Sequence, residues 1–313
     1  MPRRPALLLP ALAVNVIIAS GTFLVAKRTL AEFPPLTLAL LRFLLAAGSL
    51  WPLTRLLLPG RRIERADRPR ILLLGLLAVP LNQGLFLVGM QWASASHAAL
   101  LYALTPAFAI LFLALGGGPP PGARQAVGIA LAFAGVLALM LQRGLHFDHH
   151  SLAGDAVILV AVVAWALYLV AGRTVTRRYD PLLVTTESLL AGTALYLPIG
   201  IVAIRGFDPR SISVAGWVGL LYLAWLTSAV NYVIWFWGLR HLKPGTVALL
   251  TNVQPVVTAA MAWAFLREPL PAGFALSSAL VLGGVWIAQP RQAPEEGPTG
   301  ESRGRATAQS PRV

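Results

Sequence analysis

Ten apolar segments, each about as long as a lipid bilayer is thick, dominate this sequence and leave few folds open to it. A helix needs about 20 apolar residues to cross about 30 Å of hydrocarbon. The segments lie near residues 7–26, 36–58, 70–90, 96–115, 123–142, 153–172, 182–204, 214–238, 245–265 and 271–289. The alternation typical of strands is absent, and an open sheet cannot lie in lipid. The sequence therefore predicts an all-α polytopic membrane protein with ten transmembrane helices.

The composition agrees with this prediction and excludes several kinds of site. The chain is 57% hydrophobic and 12% charged, whereas a soluble domain carries roughly 25% charged residues. A formal charge of +13 would suggest a nucleic-acid partner in a soluble protein. Because the basic residues lie in loops between apolar segments, we expect them to orient the protein and expect no nucleic-acid partner. The absence of cysteine excludes disulfides and a cysteine nucleophile.

The chain also repeats itself. A constant offset aligns identical residues of the two halves: Asn82 with Asn231, Leu100 with Leu249, Pro106 with Pro255 and Gly135 with Gly284. Each copy holds five apolar segments, and since five is odd, the second copy enters the bilayer inverted. The sequence thus predicts inverted five-helix repeats over residues 7–142 and 153–289, followed by a disordered cytoplasmic tail over residues 290–313.

The basic residues of the loops predict the orientation of the chain. With the N-terminus in the cytoplasm, eighteen Lys and Arg residues lie on the cytoplasmic side and six on the other. Because cytoplasmic loops carry the excess of Lys and Arg, we expect both termini to be cytoplasmic.

Several stretches of the sequence resemble one known family. They are FPPLTLALLRF at residues 33–43, AWALY at 164–168, FLREPL at 265–270 and GGV at 283–285. Their order and spacing resemble the EamA domain of the drug/metabolite transporter superfamily, over roughly residues 10–289. The resemblance implies ten helices in two inverted bundles and export of a small organic solute. It leaves the solute open, because this family carries amino acids, drugs, sugars and other metabolites.

Two positions depart from the family pattern. The Trp expected early in the first segment is Ala19 or Ser20 here, and an acidic residue expected before the fifth segment is missing, since Pro119 stands opposite Glu268. Glu268 therefore has no symmetric partner, and we expect it to pack against or cap a helix.

Two charged residues, Arg42 and Glu187, lie well inside apolar segments. Such charges cost about 2.5–3.5 kcal/mol each at mid-helix and usually mark function. They occupy nearly matching places in the two copies, but roughly 11 Å of membrane depth separates them, so we expect no direct ion pair. Arg42 can snorkel to the outer interface or hold an outer gate. Glu187 can be a hydrogen-bonded neutral acid, couple protons or pair with an amine.

An amide and an aromatic ring recur on one face of the third and eighth segments. Asn82 precedes Phe86 by four residues, as Asn231 precedes Trp235, and this spacing puts both side chains on one helical face. An unpaired amide in lipid is costly, so both faces should point inward. They either line a solute cavity or bridge neighbouring helices.

Pro106 and Pro255 lie near the middle of the fourth and ninth segments. Proline frees a carbonyl one turn back and kinks a helix, and inverted mid-membrane breaks point to a binding site. Kinks of this kind also occur in helices that only pack. Further candidate cavity residues on the fourth, sixth and ninth segments are Tyr102, Thr105, Trp165, Tyr168, Asn252 and Gln254.

The favoured function is a secondary transporter that exports a small organic metabolite across a bacterial cell membrane by alternating access. An amino-acid-like or a cationic, aromatic solute would be held by stacking, hydrogen bonds and cation–π contacts. An intramembrane enzyme, or a scaffold or receptor without flux, is the alternative. The sequence offers no nucleophile–base pair or metal-ligand set inside the bilayer, so we expect no enzyme activity, cofactor or metal.

Small residues form faces on the fifth and tenth segments, which we expect to be peripheral. These faces are Gly128, Ala132 and Gly135, and Ala275, Ala279 and Gly283. Small-residue faces allow helices to approach closely, so they either join two copies of the chain or pack within one copy.

Overall fold

The computed structural model of the chain describes residues 8–145, 149–235, 244–270 and 272–289. Every regular element within these ranges is helical, as the sequence predicts. Seven helical stretches of the described chain are long and apolar enough to cross a membrane, and residues 253–266 and 272–288 form shorter apolar helices. The predicted tail over residues 290–313 lies outside the described residues.

The first half contains five helical stretches, which we number α1 to α5. Helix α3 changes to π-helical geometry in its middle, and α4 is interrupted between two shorter segments. The bounds are Leu8–Thr29 for α1, Pro35–Leu57 for α2, Arg68–Leu76, Leu77–Gly84 (π) and Leu85–Met90 for α3, Ala95–Tyr102 and Thr105–Leu115 for α4, and Ala123–Leu145 for α5.

The second half repeats this organisation in α6 to α10. The bounds are His149–Thr176 for α6, Pro181–Ala203 for α7, Val214–Leu221 and Tyr222–Val230 (π) for α8, which continues to Trp235, Pro244–Met261 and Ala262–Leu266 (π) for α9, and Ala272–Ala288 for α10. Each predicted apolar segment coincides with one of these stretches to within a few residues.

The pairing of helices follows the repeat. Helix α1 packs against α8 and α9, and its counterpart α6 packs against α3 and α4. Likewise α2 packs against α7 and α8, while α7 packs against α2 and α3. Each contact therefore has a partner contact five helices further on, as a two-fold relation between the halves requires.

Helices α5 and α10 pack tightly against each other at the edge of the bundle. Gly128 and Gly135 of α5 face Gly284 and Ser277 of α10, and a Cβ atom added to Gly128 would lie 2.6 Å from the carbonyl oxygen of Gly284. The predicted face of α5 thus packs within the chain. On α10 the packed face differs from the expected one, because Ala275 and Ala279 are exposed and Gly283 meets nothing.

Contacts between loops mark two ends of the bundle. The end at which α1 begins and α10 ends is called the terminal end below, and the other is called the opposite end. At the terminal end, the loop before α3 meets the loop after α6, where Arg178 and Tyr179 bind the Asp67 carboxylate at 2.7 and 2.8 Å. At the opposite end, Glu32 accepts hydrogen bonds from the backbone N–H and hydroxyl of Ser213 at the start of α8.

The π-helical turns of α3 and α8 occupy corresponding places in the two halves. In α3 the turn contains Pro80, which cannot donate a backbone hydrogen bond. In α8 the Leu223 carbonyl instead accepts from the hydroxyl of Ser228, five residues later. Such turns free backbone carbonyls and are frequent at functional sites.

Candidate functional site

A cavity of about 340 Å³ lies between the two halves of the bundle. Helices α1, α3, α4, α6, α8, α9 and α10 form its wall, so both repeats contribute. Seven of the residues selected from the sequence line it: Tyr102, Thr105, Pro106, Trp165, Asn231, Trp235 and Gln254.

The cavity extends to the terminal end of the bundle. Leu113, Arg173, Trp235 and Gln289 line it near the last turns of α4, α6, α8 and α10, and these helices all finish at that end. Among the described residues, the cavity therefore reaches the end of the bundle at which the chain begins.

Three rings close the cavity toward the opposite end. Phe23, Phe86 and Tyr102 contact one another edge to face, with ring centroids 5.6 to 5.7 Å apart. Edge-to-face contacts of this kind stabilise by about 0.5–1.5 kcal/mol beyond the area they bury. The rings come from α1, α3 and α4, which belong to one half.

Beyond these rings, polar contacts join the two halves at the opposite end. The Glu268 carboxylate accepts from the backbone N–H groups of Ala95 and Ser96 at 2.9 and 3.1 Å and so caps the start of α4. Arg28 donates to the Phe265 carbonyl at 2.8 Å. The capping role expected of Glu268 is thus observed, and a carboxylate suits the positive end of a helix.

Hydrogen bonds between α1 and α8 build one wall of the cavity. The Asn15 side chain donates to the Asn231 side-chain oxygen at 2.7 Å, and the hydroxyls of Thr22 and Thr227 lie 2.9 Å apart. Asn231 therefore both lines the cavity and bridges two helices, which combines the two alternatives that the sequence left open.

Asn82 does not reach the cavity. It is fully buried and donates to the Tyr102 hydroxyl at 2.7 Å and to the Ala161 carbonyl at 2.8 Å. The neighbouring Gln83 donates to its side-chain oxygen and lines the cavity in its place. Asn82 thus joins α3, α4 and α6 and fixes the orientation of Tyr102.

Aromatic rings of α6 and α8 form another part of the cavity wall. Trp165 stacks on Tyr168, with ring centroids 5.2 Å apart, and meets Tyr232 edge to face at 5.3 Å. Trp165 and Tyr232 line the cavity, whereas Tyr168 is buried behind them. The structure thus places Tyr168 behind the ring of Trp165 and not in the cavity wall.

The two prolines differ in their surroundings. Helix α4 is interrupted just before Pro106, where the Thr105 hydroxyl donates to the Tyr102 carbonyl at 2.6 Å. Helix α9 runs without interruption through the buried Pro255. The side chain of Asn252 lies outside the described residues.

Arg42 is fully buried between α2 and α8 and does not snorkel to the surface. Its Nε atom donates to the Leu223 carbonyl at 3.0 Å and to the Ser228 hydroxyl at 2.7 Å. The π-helical turn of α8 thus provides the acceptor that holds this charge. Arg42 lies roughly 10 Å from the start of α2, between the cavity and the opposite end.

Glu187 lies away from the cavity. It is half-buried in a groove at the terminal end of α2, α3 and α7, and four arginines line this groove with it. They are Arg55, Arg62, Arg65 and Arg68. The residue of α7 that faces α3 is instead Ser188, which is fully buried.

The cavity wall carries few charged side chains. Within the described part of the chain, Arg173 is the one charged residue among the lining side chains, and no Asp or Glu lines the cavity. The wall therefore offers rings, amides and hydroxyls, but no counter-charge for a cation.

Several residues that line the cavity were not predicted from the sequence. Gln83 and Tyr232 directly follow the two aligned asparagines, so the repeat offset also aligns these two residues with each other. Both line the cavity. The residue after each asparagine is thus a signal that the repeat already contained. No such signal exists for Asn15 and Thr22, whose role depends on how α1 packs against α8.

Comparison with known protein families gives a match to each half of the chain. A model of the EamA-like transporter family matches the chain over residues 7–141 and again over residues 152–288. An uncharacterized transporter of Archaeoglobus fulgidus is 28% identical over 288 residues, which cover 90% of this chain and 96% of that protein.

Two further relatives carry more informative names. A probable terminal-alkyne amino-acid exporter of Streptantibioticus cattleyicolor is 29% identical over 253 residues, or 80% of each protein. The uncharacterized inner membrane transporter YedA of Escherichia coli is 30% identical over 250 residues, or 79% of each. A solved crystal structure matches 90% of this chain and 96% of its own with a TM-score of 0.63 at 19% identity, which shows a shared fold.

Proposed function

The chain belongs to the EamA-like transporter family, and on that basis we propose that it is a secondary transporter that exports a small organic solute by alternating access. As a multi-pass membrane protein with transporter relatives, it has the general properties that the sequence predicts. The ten-span topology, the solute and the transport cycle are parts of the proposal.

One observation carries the proposal. The cavity lies between the two repeats, reaches the terminal end and is closed at the opposite end by rings and by contacts such as Glu268 with Ser96. An alternating-access carrier has this arrangement in the state that is open to one side of the membrane. Because the repeats are related by inversion, exchanging their conformations would open the other side.

The terminal end is assigned to the cytoplasm, and the membrane to the bacterial cell membrane. The excess of Lys and Arg in the loops of that end supports this orientation, and YedA is named as an inner membrane protein. The open cavity then faces the cytoplasm, from which an exporter takes its solute.

The cavity wall favours an amino-acid-like solute over a purely cationic one. Rings of Trp165 and Tyr232 suit an apolar side chain, while Asn231 and Gln254 supply hydrogen bonds. A cation would find no carboxylate among the described lining residues. The relative named as a probable amino-acid exporter supports the same class.

A cavity-filling variant tests the proposal. Ala109 lines the cavity, and Ala134 is exposed on α5, so Ala109→Trp should block the path while Ala134→Trp leaves it open. Purified protein in proteoliposomes would be assayed for counterflow of a panel of labelled amino acids. Exchange in wild type and Ala134→Trp, with loss in Ala109→Trp, is expected. Equal exchange in all three, or none in wild type, would contradict the proposal.

A further inference from the structure

Four buried polar atoms near the cavity are poorly satisfied. Among the described residues, Nη1 and Nη2 of Arg42 have no hydrogen-bond partner, and the hydroxyl of Tyr232 and Oε1 of Gln83 have none of ordinary hydrogen-bond geometry. All three side chains are more than nine-tenths buried, with exposures of 0% for Arg42, 4% for Tyr232 and 8% for Gln83.

These three side chains are neighbours. The Arg42 guanidinium interacts electrostatically with the side chains of Tyr232 and Tyr102, and Gln83 lies within hydrogen-bonding reach of Tyr232. Tyr232, Gln83 and Tyr102 line the cavity, whereas Arg42 does not. Because Arg42 also binds Ser228, whose neighbour Thr227 lines the cavity, the guanidinium lies behind residues of the cavity wall.

Leaving such groups unpaired is costly. A buried polar atom without a hydrogen-bond partner destabilises a protein, and more so when it is charged. Nε of Arg42 is already satisfied by Leu223 and Ser228, and the guanidinium lies 5.2 Å from the ring centroid of Phe43, which leaves the two amino groups without an acceptor. A parallel pair of N–H donors matches the two oxygens of a carboxylate.

We infer that Arg42 recognises the carboxylate of the transported solute, with Tyr232 as a second donor and the Gln83 oxygen as the acceptor for the solute's ammonium group. The inference rests on the proposed transport function and narrows its solute to an amino carboxylate. The solute's side chain then lies against Trp165.

The position of Arg42 gives this recognition a consequence for the transport cycle. The same guanidinium holds the π-helical turn of α8 through Leu223 and Ser228. A carboxylate bound to its amino groups would partly neutralise the positive charge that holds this turn of α8. Solute binding and the α2–α8 contact near the closed end would thus share one residue.

The test compares amino acids with their carboxamides, which keep the ammonium group and side chain but lack the carboxylate. Counterflow of labelled leucine, methionine and phenylalanine and of the three amides would be measured in proteoliposomes. Wild type should prefer at least one acid to its amide by about 30-fold or more in kcat/KM, because an unpaired buried charge is left when the carboxylate is absent. Arg42→Gln should bring this ratio toward one, and Arg42→Lys should keep part of it.

Arg55→Gln is the matched control, since Arg55 lies on the same helix but in the groove with Glu187. It should keep the acid-to-amide ratio of wild type. If wild type exchanges the amides as fast as the acids, or Arg42→Gln keeps the full ratio, the inference is overturned while the transport function stands. If wild type exchanges no member of the panel, the proposed function fails and the inference fails with it.

Discussion

Glu187 shows how a charge can lie inside an apolar segment without reaching the solute. Its groove is also lined by Arg55, Arg62, Arg65 and Arg68 at the terminal end, away from the cavity. Proton coupling by Glu187 would therefore act through the packing of α2, α3 and α7 and not on the solute itself.

Glu187→Gln separates coupling from solute binding. Because the residue lies outside the cavity, we expect the variant to keep equilibrium exchange of a labelled amino acid but to lose uphill transport driven by an imposed pH gradient. Both activities would be measured in the same proteoliposomes, with Glu187→Asp as the control that keeps a carboxyl group. Unchanged uphill transport in the Gln variant would reject proton coupling at this site.

The direction in which Glu187 points could not be predicted from the sequence. Counting from the two prolines placed Arg42 and Glu187 at nearly the same position of the two copies, but Ser188 is the residue that faces inward from α7. One residue turns a side chain by about 100° around a helix. A repeat alignment uncertain by one residue therefore predicts the depth of a charge but not the direction in which it points.

Among the described helices, α5 and α10 pack backbone against backbone. A Cβ atom on Gly128 would lie 2.6 Å from the Gly284 carbonyl oxygen, whereas a Cβ atom on Gly283 would meet nothing within 4 Å. The two glycines thus differ in surroundings while both lie in helices of this pair.

This difference predicts opposite outcomes for the same substitution. Gly128→Ala should destabilise the protein by about 1–3 kcal/mol because the helices must move apart. Gly283→Ala should be neutral or stabilising by up to about 1 kcal/mol, since alanine favours helices over glycine. Thermal unfolding in detergent measures both. Equal effects of the two substitutions would contradict the α5–α10 packing.

The bounds of the helices could be predicted from the sequence, but their irregularities could not. Apolar length and flanking loops set the ends of each helix, and these depend on local sequence. The π-helical turn of α8 contains no proline. In this turn the Leu223 carbonyl accepts a hydrogen bond from the Arg42 side chain. Such a turn depends on a partner helix that no single segment reveals.

At the scale of the molecule, the two halves differ in the contacts that they offer at the two ends. Glu268 caps α4 at the opposite end, but Pro119 stands at the matching place of the first half and has no carboxylate to offer α9. The first half therefore lacks the carboxylate that could make the matching contact. The family resemblance and the repeat predicted a shared cavity, whereas its closed end depends on contacts between residues far apart in the chain.

The transport cycle requires that the cavity be accessible from the two ends in turn. The chain has no cysteine, so single cysteines at Ala19 or Ala109 in the cavity wall, and at Ala134 on the exposed surface of α5 as a control, report one position each. Vesicles of both orientations would be treated with a membrane-impermeant thiol reagent, with and without saturating solute. The account predicts labelling of the wall positions from the terminal end alone in the resting protein, and from the opposite end as well during exchange. Wall positions that stay sealed from both ends in every condition, or that are open to both ends at rest, would contradict it.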